Sequence, residues 1–159
     1  MFLDQTTFAT VIQSTPLVSI DLVVTNSNGQ VLLGQRLNRP AKNYWFVPGG
    51  RILKDESLAD AFKRLTRDEL GQTFTIEQAQ LLGPFDHFYT DNVFSNVGST
   101  HYVAIVFCLQ LDSQLTSLPL AVQHAGYQWF DIPSLLADAS VHKHTKWYFD
   151  KTYTDSIED

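Results

Sequence analysis

A glycine pair followed by a clearly delimited amphipathic helix constrains the fold of this chain more than any other feature. Gly49 and Gly50 end a short aromatic segment, residues 44–47, which we expect to be a strand. Ser57 suits the N-cap of the helix, and Gly71 suits its C-terminal end. The residues between them recur at steps of three and four, the spacing of one helix face: Leu58, Ala61, Phe62, Leu65 and Glu69. The sequence therefore predicts a strand, a tight loop and a helix in direct succession.

Strand-forming segments lie on both sides of this unit. Leu17–Thr25 is rich in β-branched and apolar residues, and turn residues at 26–29 join it to a second strand over residues 30–36. Three more strands are predicted at 79–89, 101–111 and 126–131, a helix at 6–13, a helical turn at 133–137 and a terminal helix at 141–153. This order predicts a mixed β-sheet sandwiched between helices, of the α/β or α+β class. The length of 159 residues fits one domain over residues 1–159.

Charge and composition limit the kinds of partner. The chain has 11 basic and 17 acidic residues, a net charge of −6, so we expect no nucleic-acid partner. A small anionic ligand would need local arginines and a divalent cation. No apolar run is long enough to span a membrane, and no membrane partner is expected. The single cysteine, Cys108, stands in an apolar segment and is predicted to be buried. It cannot form an internal disulfide, and the sequence start lacks the pattern of a signal peptide, so a reducing, cytoplasmic setting is expected.

Six residues around the predicted helix keep the spacing of a known motif. They are Gly50, Glu56, Arg64, Asp68, Glu69 and Gly71. The pattern resembles the Nudix motif, G-x5-E-x7-R-E-U-x-E-E-x-G-U, where U is apolar and Asp68 replaces a glutamate. The resemblance implies the Nudix fold, dependence on Mg²⁺ with Mn²⁺ as an alternative, and a substrate of the nucleoside-diphosphate type. Since a helix turns about 100° per residue, positions 65, 68 and 69 share a face on which carboxylates could hold Mg²⁺.

The helix departs from that motif where the metal site is expected. Leu65 stands where the motif has glutamate, and Thr66 follows it. Either the site is degenerate, or it holds one Mg²⁺ with fewer protein charges and supports a different reaction. Because a diphosphate supplies oxygen ligands itself, one Mg²⁺ needs few protein carboxylates. We expect the shorter Asp68 to be a solvated helix residue; the alternative is that it contacts the metal through a bridging water.

The altered motif is similar to that of the GDP-mannose mannosyl hydrolase branch of the Nudix family, and the likeness covers most of the chain up to Trp129. It includes segments 8–11, 14–19, 32–34, 38–41, 44–51, 87–89, 100–103 and 123–124. In that branch, water attacks the anomeric carbon with inversion, the C–O bond breaks and GDP leaves. The resemblance therefore implies hydrolysis of GDP-mannose, with GDP-glucose as a further substrate, and a homodimer.

The same resemblance implies a role for particular residues. His124 would be the general base, since histidine titrates near neutral pH. Arg36 and Arg51 would clamp the diphosphate, because the planar guanidinium matches phosphate oxygens. Three residues are implied as metal ligands, the last through its backbone carbonyl: Glu69, Gln123 and Gly49. Taken alone, a loop histidine or glutamine is more often a solvated surface residue.

Four further side chains are candidates for substrate binding. The resemblance implies that Tyr102 and His87 donate to phosphate or sugar oxygens. Strand alternation places His87 on the opposite face of its strand from Phe88. Asp21 interrupts an apolar strand and needs a partner if buried; it would accept a sugar hydroxyl or orient an arginine. Phe8 would stack on guanine across a dimer interface, although its helical spacing fits a core aromatic equally well.

Other polar residues are expected to be structural. We predict that Glu56 and Arg64 form an ion pair that ties the loop to the helix. His101, His142 and His144 are interpreted as surface or structural residues.

Two other functions are compatible with the sequence. The first is a Nudix pyrophosphatase in which water attacks phosphorus, which Leu65 disfavours because that reaction depends on a carboxylate-rich helix. The second is a non-catalytic nucleotide-binding module, which the missing carboxylate allows. Retention of Arg36, Arg51, Gln123 and His124 argues against this second function.

Overall fold

The computed structural model describes residues 2–95, 98–112 and 124–150, which form a mixed β-sheet with helices. The helices are α1 (Gln5–Ser14), α2 (Leu58–Leu70), α3 (Ile132–Ala137) and α4 (Lys143–Lys146), with 3-10 turns at Ile76–Gln78 and Trp147–Phe149. The strands are β1 (Leu17–Thr25), β2 (Val31–Arg36), β3 (Trp45–Phe46), β4 (Gly49–Arg51), β5 (Gln80–Tyr89), β6 (Thr100–Gln110) and β7 (His124–Phe130). The predicted α+β class with a mixed sheet is confirmed.

Strand β1 is the centre of the sheet, whose order is β3-β2-β1-β6-β5. It runs parallel to β6, from Leu17 opposite Tyr102 to Thr25 opposite Gln110. Strand β2 meets β1 at their shared turn, where Thr25 lies opposite Val31. Beyond this turn β1 pairs with β4 and β2 pairs with β3, so the two strands diverge. This divergence opens a fork at one end of the sheet. Strand β7 pairs along the other edge of β2.

The two faces of the sheet carry separate apolar clusters, because successive strand residues point to opposite faces. Ile20, Leu22 and Val24 of β1 pack in one cluster with side chains of α2. Val23 lies in the other cluster, with Leu135 of α3 and residues of the C-terminal segment. The sheet is therefore covered by α2 on one side and by the C-terminal elements on the other.

Helix α2 begins and ends as the sequence predicts. The Ser57 side chain accepts a hydrogen bond from the Asp60 backbone N–H at 3.1 Å. Gly71 has a left-handed backbone with a φ of 74°, a conformation that glycine adopts without a steric penalty. Its N–H donates to the Arg67 carbonyl at 3.0 Å. The helix is thereby fixed at both ends, which fixes the residues of its last turn.

Three expectations differ from the structure. The glycine pair does not end a strand: Gly49–Arg51 is itself a strand, because it pairs with β1. The terminal helix is shorter than predicted, since Val141 forms a parallel bridge with Trp45 before α4 begins, and residues 151–153 lie outside the described part. Cys108 is only half-buried at the margin of the second cluster, where burial raises the pKa of its thiol.

Candidate active site

A cleft of about 630 Å³ occupies the fork between β1 and β2. Eight of the residues selected from the sequence line it: Phe8, Asp21, Arg36, Gly49, Arg51, Glu69, His87 and Tyr102. They come from α1, from five strands and from the end of α2, so only the folded sheet brings them together. The cleft is therefore the candidate active site.

Two arginines project into the cleft from separate strands. The Arg51 guanidinium lies over the Phe8 ring, 4.6 Å from its centroid, and the Arg36 guanidinium lies 5.5 Å from the centroid of Phe46. Such cation–π contacts hold a guanidinium in place without neutralising it. The arginines thus form a pre-positioned cationic wall suited to an anion. Phe8 contacts Arg51 in this arrangement. The sequence suggested that Phe8 stacks on guanine or is a core aromatic, and neither interpretation included this contact.

The last turns of α2 face the same cleft with few carboxylates. Glu69 is 5% exposed and lines the cleft, whereas Leu65 is part of the apolar cluster. A Cβ added to Gly50 would lie 2.6 Å from Leu65 Cδ2, so this leucine packs directly on the glycine. Asp68 also lines the cleft but pairs with Arg67 at 3.0 Å, with both side chains substantially exposed. The face offers one buried carboxylate where the motif would provide more.

Thr66 has a structural function that explains its place in the altered motif. It is completely buried, and its hydroxyl accepts a hydrogen bond from the Phe74 backbone N–H at 2.9 Å. The same hydroxyl lies 3.1 Å from the Lys63 carbonyl, to which it can donate. Thr66 therefore ties α2 to the segment that follows it.

The predicted ion pair between Glu56 and Arg64 is confirmed. Arg64 Nε donates to Glu56 Oε2 at 2.7 Å, and a second guanidinium nitrogen donates to Oε1 at 2.9 Å. The same nitrogen donates to the Arg51 carbonyl at 2.9 Å. The hydrogen bonds from Arg64 lower the pKa of Glu56. This bidentate pair joins the loop, the helix and the backbone of Arg51, and so supports the arginine wall.

Strand pairing determines where the Gly49 carbonyl points. Leu22 N–H donates to the Pro48 carbonyl at 2.8 Å, and Ile52 N–H donates to the Val18 carbonyl at 2.9 Å. Because hydrogen-bonded pairs alternate in an antiparallel ladder, Asp21 and Gly49 form a pair whose backbone groups point away from each other. The Gly49 carbonyl therefore lies on the edge of β4 that also carries the Arg51 carbonyl, which contacts α2.

The glycine itself is required by packing. A Cβ at position 49 would collide with the Ile20 backbone and lie 2.7 Å from Asp21 Oδ1. The close approach of β4 to β1 is therefore a steric reason for glycine at position 49.

The donor set fits one hard divalent cation and does not fit a carboxylate-rich metal cluster. Among the described residues, no group of three or more His, Cys, Asp or Glu side chains is placed to hold a metal ion. Glu69 and Gly49 line the same cleft and offer hard oxygen ligands. The third predicted ligand, Gln123, lies outside the described residues. A cation held by so few protein groups would take its remaining ligands from water and from phosphate oxygens.

Strand β7 carries the predicted general base. The backbone of His124 lies opposite Arg36, next to the cleft. Three residues further on, the Tyr127 hydroxyl donates to the Glu69 carbonyl at 3.1 Å. Burial, followed by the charge of Glu69, raises the pKa of Tyr127, so its hydroxyl stays protonated. Tyr127 thus connects β7 to the end of α2, a contact that the sequence reasoning missed.

A hydrogen-bonded chain of three side chains forms the rear wall of the cleft. The Tyr148 hydroxyl lies 2.5 Å from Asp21 Oδ2 and 2.9 Å from His87 Nε2. Burial is the main cause that raises the pKa of Asp21 to about 6, and the Tyr148 hydrogen bond opposes it. Burial also lowers the pKa of His87 to about 4, helped by the charge of His142. The half-buried Asp21 therefore has a polar partner, and this partner is Tyr148.

The remaining histidines divide between surface and interior. His101 pairs with Asp86 at 3.0 Å on the surface. His144 is 1% exposed and stacks on His87, with ring centroids 4.4 Å apart. Of the two roles we expected for it, surface or structural, it therefore has the structural one. His142 is half-buried and accepts the His144 backbone N–H at its Nδ1, which caps α4. His87 is buried and Phe88 is exposed, as alternation predicts.

Comparisons with known proteins agree with this architecture. The NUDIX domain model matches residues 15–151. The low-salt glycan biosynthesis protein Agl8 of Haloferax volcanii is 39% identical over 140 residues, which cover 88% of this chain and 84% of that protein. A MutT protein from Methanosarcina mazei Go1 superposes with a TM-score of 0.69 at 21% identity, over 92% of this chain and 98% of that one. A MutT NUDIX hydrolase from Burkholderia pseudomallei gives a TM-score of 0.69 at 25% identity, over 85% and 96%.

The chain belongs to the Nudix family. This membership supports a hydrolase activity, and Nudix hydrolases generally use a divalent metal ion such as Mg²⁺. No helix within the described ranges is both long and apolar enough to cross a membrane.

Proposed function

We propose that the chain is a Mg²⁺-dependent hydrolase of a nucleoside-diphosphate sugar, GDP-mannose or GDP-glucose, which releases GDP and the free sugar. Water attacks the anomeric carbon, the C–O bond to the diphosphate breaks, and the sugar leaves with inverted configuration. The observation that carries this proposal is the buried Leu65, which removes a carboxylate from the helix face where the motif has one. Attack at phosphorus would depend on that carboxylate, whereas departure of GDP does not.

The charges in the cleft support a diphosphate leaving group. Arg36 and Arg51 line one cleft, and the bidentate geometry of guanidinium suits phosphate oxygens. Mg²⁺, held by Glu69, the Gly49 carbonyl and Gln123, would neutralise charge on the departing diphosphate as a Lewis acid. With this charge stabilised, GDP needs no proton donor to leave.

The attacking water still needs a base, and His124 is proposed for this role. Its strand begins opposite Arg36, and Tyr127 of the same strand contacts the Glu69 carbonyl. A base near the cleft can take the proton from water as the C–O bond breaks, an effect that typically contributes about 10²- to 10⁴-fold in rate. Asp21, His87 and Tyr102 line the same cleft and would contact the remaining polar groups of the substrate.

The relative in Haloferax volcanii supports a sugar-containing substrate. That protein is described as acting in glycan biosynthesis, and activated sugars are the reactants from which glycans are built. A homodimer, implied by the sequence resemblance, stays a prediction.

The proposal is tested by identifying the products from a panel of nucleotide sugars. With Mg²⁺, we expect GDP and free sugar in equal amounts from GDP-mannose or GDP-glucose, and no turnover after chelation with EDTA. The panel should include UDP-glucose and ADP-ribose as controls for the base. GMP and sugar phosphate as products would show a phosphorus-attacking pyrophosphatase. Mg²⁺-dependent GDP binding without turnover of any panel member would show a binding module.

A further inference from the structure

We propose that Tyr148 is a positioning residue that orients Asp21 and fixes the tautomer of His87, so that both side chains accept hydrogen bonds from the sugar half of the substrate. Asp21 and His87 line the cleft, whereas Tyr148 stands behind them and is 6% exposed. Its hydroxyl bridges the two side chains, which come from β1 and β5. The inference rests on the proposed function, because it specifies how the same cleft recognises a sugar.

The number of protons in this chain determines the direction of each hydrogen bond. In the hydrogen bond between Tyr148 and Asp21, the phenol is the donor and Asp21 Oδ2 is the acceptor. A carboxylate can only accept, so the single phenolic proton of Tyr148 goes to Asp21 Oδ2. The Tyr148 oxygen must then accept from His87 Nε2, which therefore carries a proton.

His87 is thereby fixed in one neutral tautomer. Its pKa of about 4 keeps it uncharged at pH 8. A neutral imidazole with a proton on Nε2 has its lone pair on Nδ1, so Nδ1 is the acceptor of the ring. Stacking against His144, with an interplanar angle of 8°, holds the ring orientation while Tyr148 sets the tautomer. This differs from our sequence-based expectation that His87 donates to the substrate.

Two hydrogen-bond acceptors, Asp21 and His87, would distinguish between the two halves of a nucleotide sugar. Sugar hydroxyls donate hydrogen bonds, whereas the oxygens of an ionised diphosphate only accept them. Asp21 and His87 therefore favour hydroxyl groups and disfavour phosphate, and Arg36 and Arg51 do the reverse. The cleft then orients the substrate with the diphosphate at the two arginines and the sugar at Asp21 and His87, which Tyr148 holds in place.

A purely structural role for Tyr148 is separable from this one. Its ring packs on Phe85, with centroids 4.9 Å apart, and phenylalanine would keep that packing. Tyr148→Phe removes only the hydroxyl. Tyr44→Phe is the matched control, because Tyr44 is 42% exposed and is absent from the cleft lining.

The first test is the tautomer of His87 in the full-length protein, measured at pH 8 by ¹⁵N NMR of the imidazole nitrogens. The His87 signals are assigned by their loss in His87→Gln. We expect the Nε2–H tautomer in the wild type and in Tyr44→Phe, and loss of that preference in Tyr148→Phe. An Nδ1–H tautomer in the wild type would overturn the inference even if Tyr148→Phe failed to fold.

The second test separates sugar from diphosphate binding. Tyr148→Phe is expected to lower kcat/KM for the nucleotide sugar about 10- to 100-fold, the usual range for a hydrogen bond to a charged group. The inhibition constant of GDP should not change, since GDP lacks the sugar. Equal loss of GDP affinity, or wild-type kinetics and an unchanged tautomer, would contradict the positioning role. A wild-type protein that yields no free sugar would instead refute the proposed function. The tautomer measurement does not depend on activity, so the two failures are distinguishable.

Discussion

Arg51→Ala is expected to lower kcat/KM for the nucleotide sugar by about 10³-fold or more, by analogy with arginines that stabilise phosphoryl transition states. The substitution removes a charge that the structure holds in place from two sides. Phe8 lies against the guanidinium, and Arg64 donates to the Arg51 carbonyl at 2.9 Å. Because this geometry exists before substrate binds, little of the interaction is spent on ordering the side chain.

Two variants make the Arg51 result specific. Arg51→Lys keeps the charge but loses the planar fork, so we expect an intermediate loss. Arg67→Ala removes an arginine that is exposed on α2 and paired with Asp68, and its kcat/KM should stay within about twofold of the wild type. Steady-state kinetics of the three variants at saturating Mg²⁺ measure this. Near wild-type activity of Arg51→Ala would show that this arginine does not contact the diphosphate.

Glu69→Gln is expected to have an effect of similar size, about 10³-fold in kcat. The glutamate is 5% exposed at the cleft, and Leu65 leaves the same helix face without the carboxylate that the motif carries there. Metal-derived charge stabilisation contributes several kcal/mol to a transition state, and a neutral amide holds a divalent cation less tightly than a carboxylate does. The loss should therefore be accompanied by a higher Mg²⁺ requirement.

The Mg²⁺ dependence of activity distinguishes this effect from a folding defect. Raising Mg²⁺ should restore part of the Glu69→Gln activity, while Glu77→Gln, on an exposed 3-10 turn, should behave as the wild type does. We also expect Arg51→Ala and Glu69→Gln to impair turnover at least as much as His124→Ala. Unchanged Mg²⁺ dependence in Glu69→Gln would remove Glu69 from the set of proposed ligands.

Much of the fold could be predicted because its signals are local. The bounds of β1 and the caps of α2 follow from nearby residues, since strand alternation and helix capping act over a few positions. The ion pair of Glu56 with Arg64 could also be predicted, because the motif spacing places both residues beside one loop. Strand β4 was missed, because it forms by pairing with β1, which is distant in the sequence.

The missing parts of the site depend on long-range contacts. Tyr148 is 127 residues from Asp21 along the chain, and nothing in its own neighbourhood indicates that it meets a carboxylate. Tyr127 contacts the Glu69 carbonyl for equally non-local reasons. The available signal was indirect: Asp21 in an apolar strand required a buried partner, and the aromatic content of 13% offered candidates with hydroxyl groups.

The position of the broken bond tests the central claim most directly, and hydrolysis in ¹⁸O-enriched water followed by mass spectrometry of both products reveals it. An enzyme that directs water to the anomeric carbon places the heavy oxygen in the free sugar and leaves GDP unlabelled, and this is the result we expect. Heavy oxygen found in the phosphate-containing product, with none in the sugar, would contradict the account.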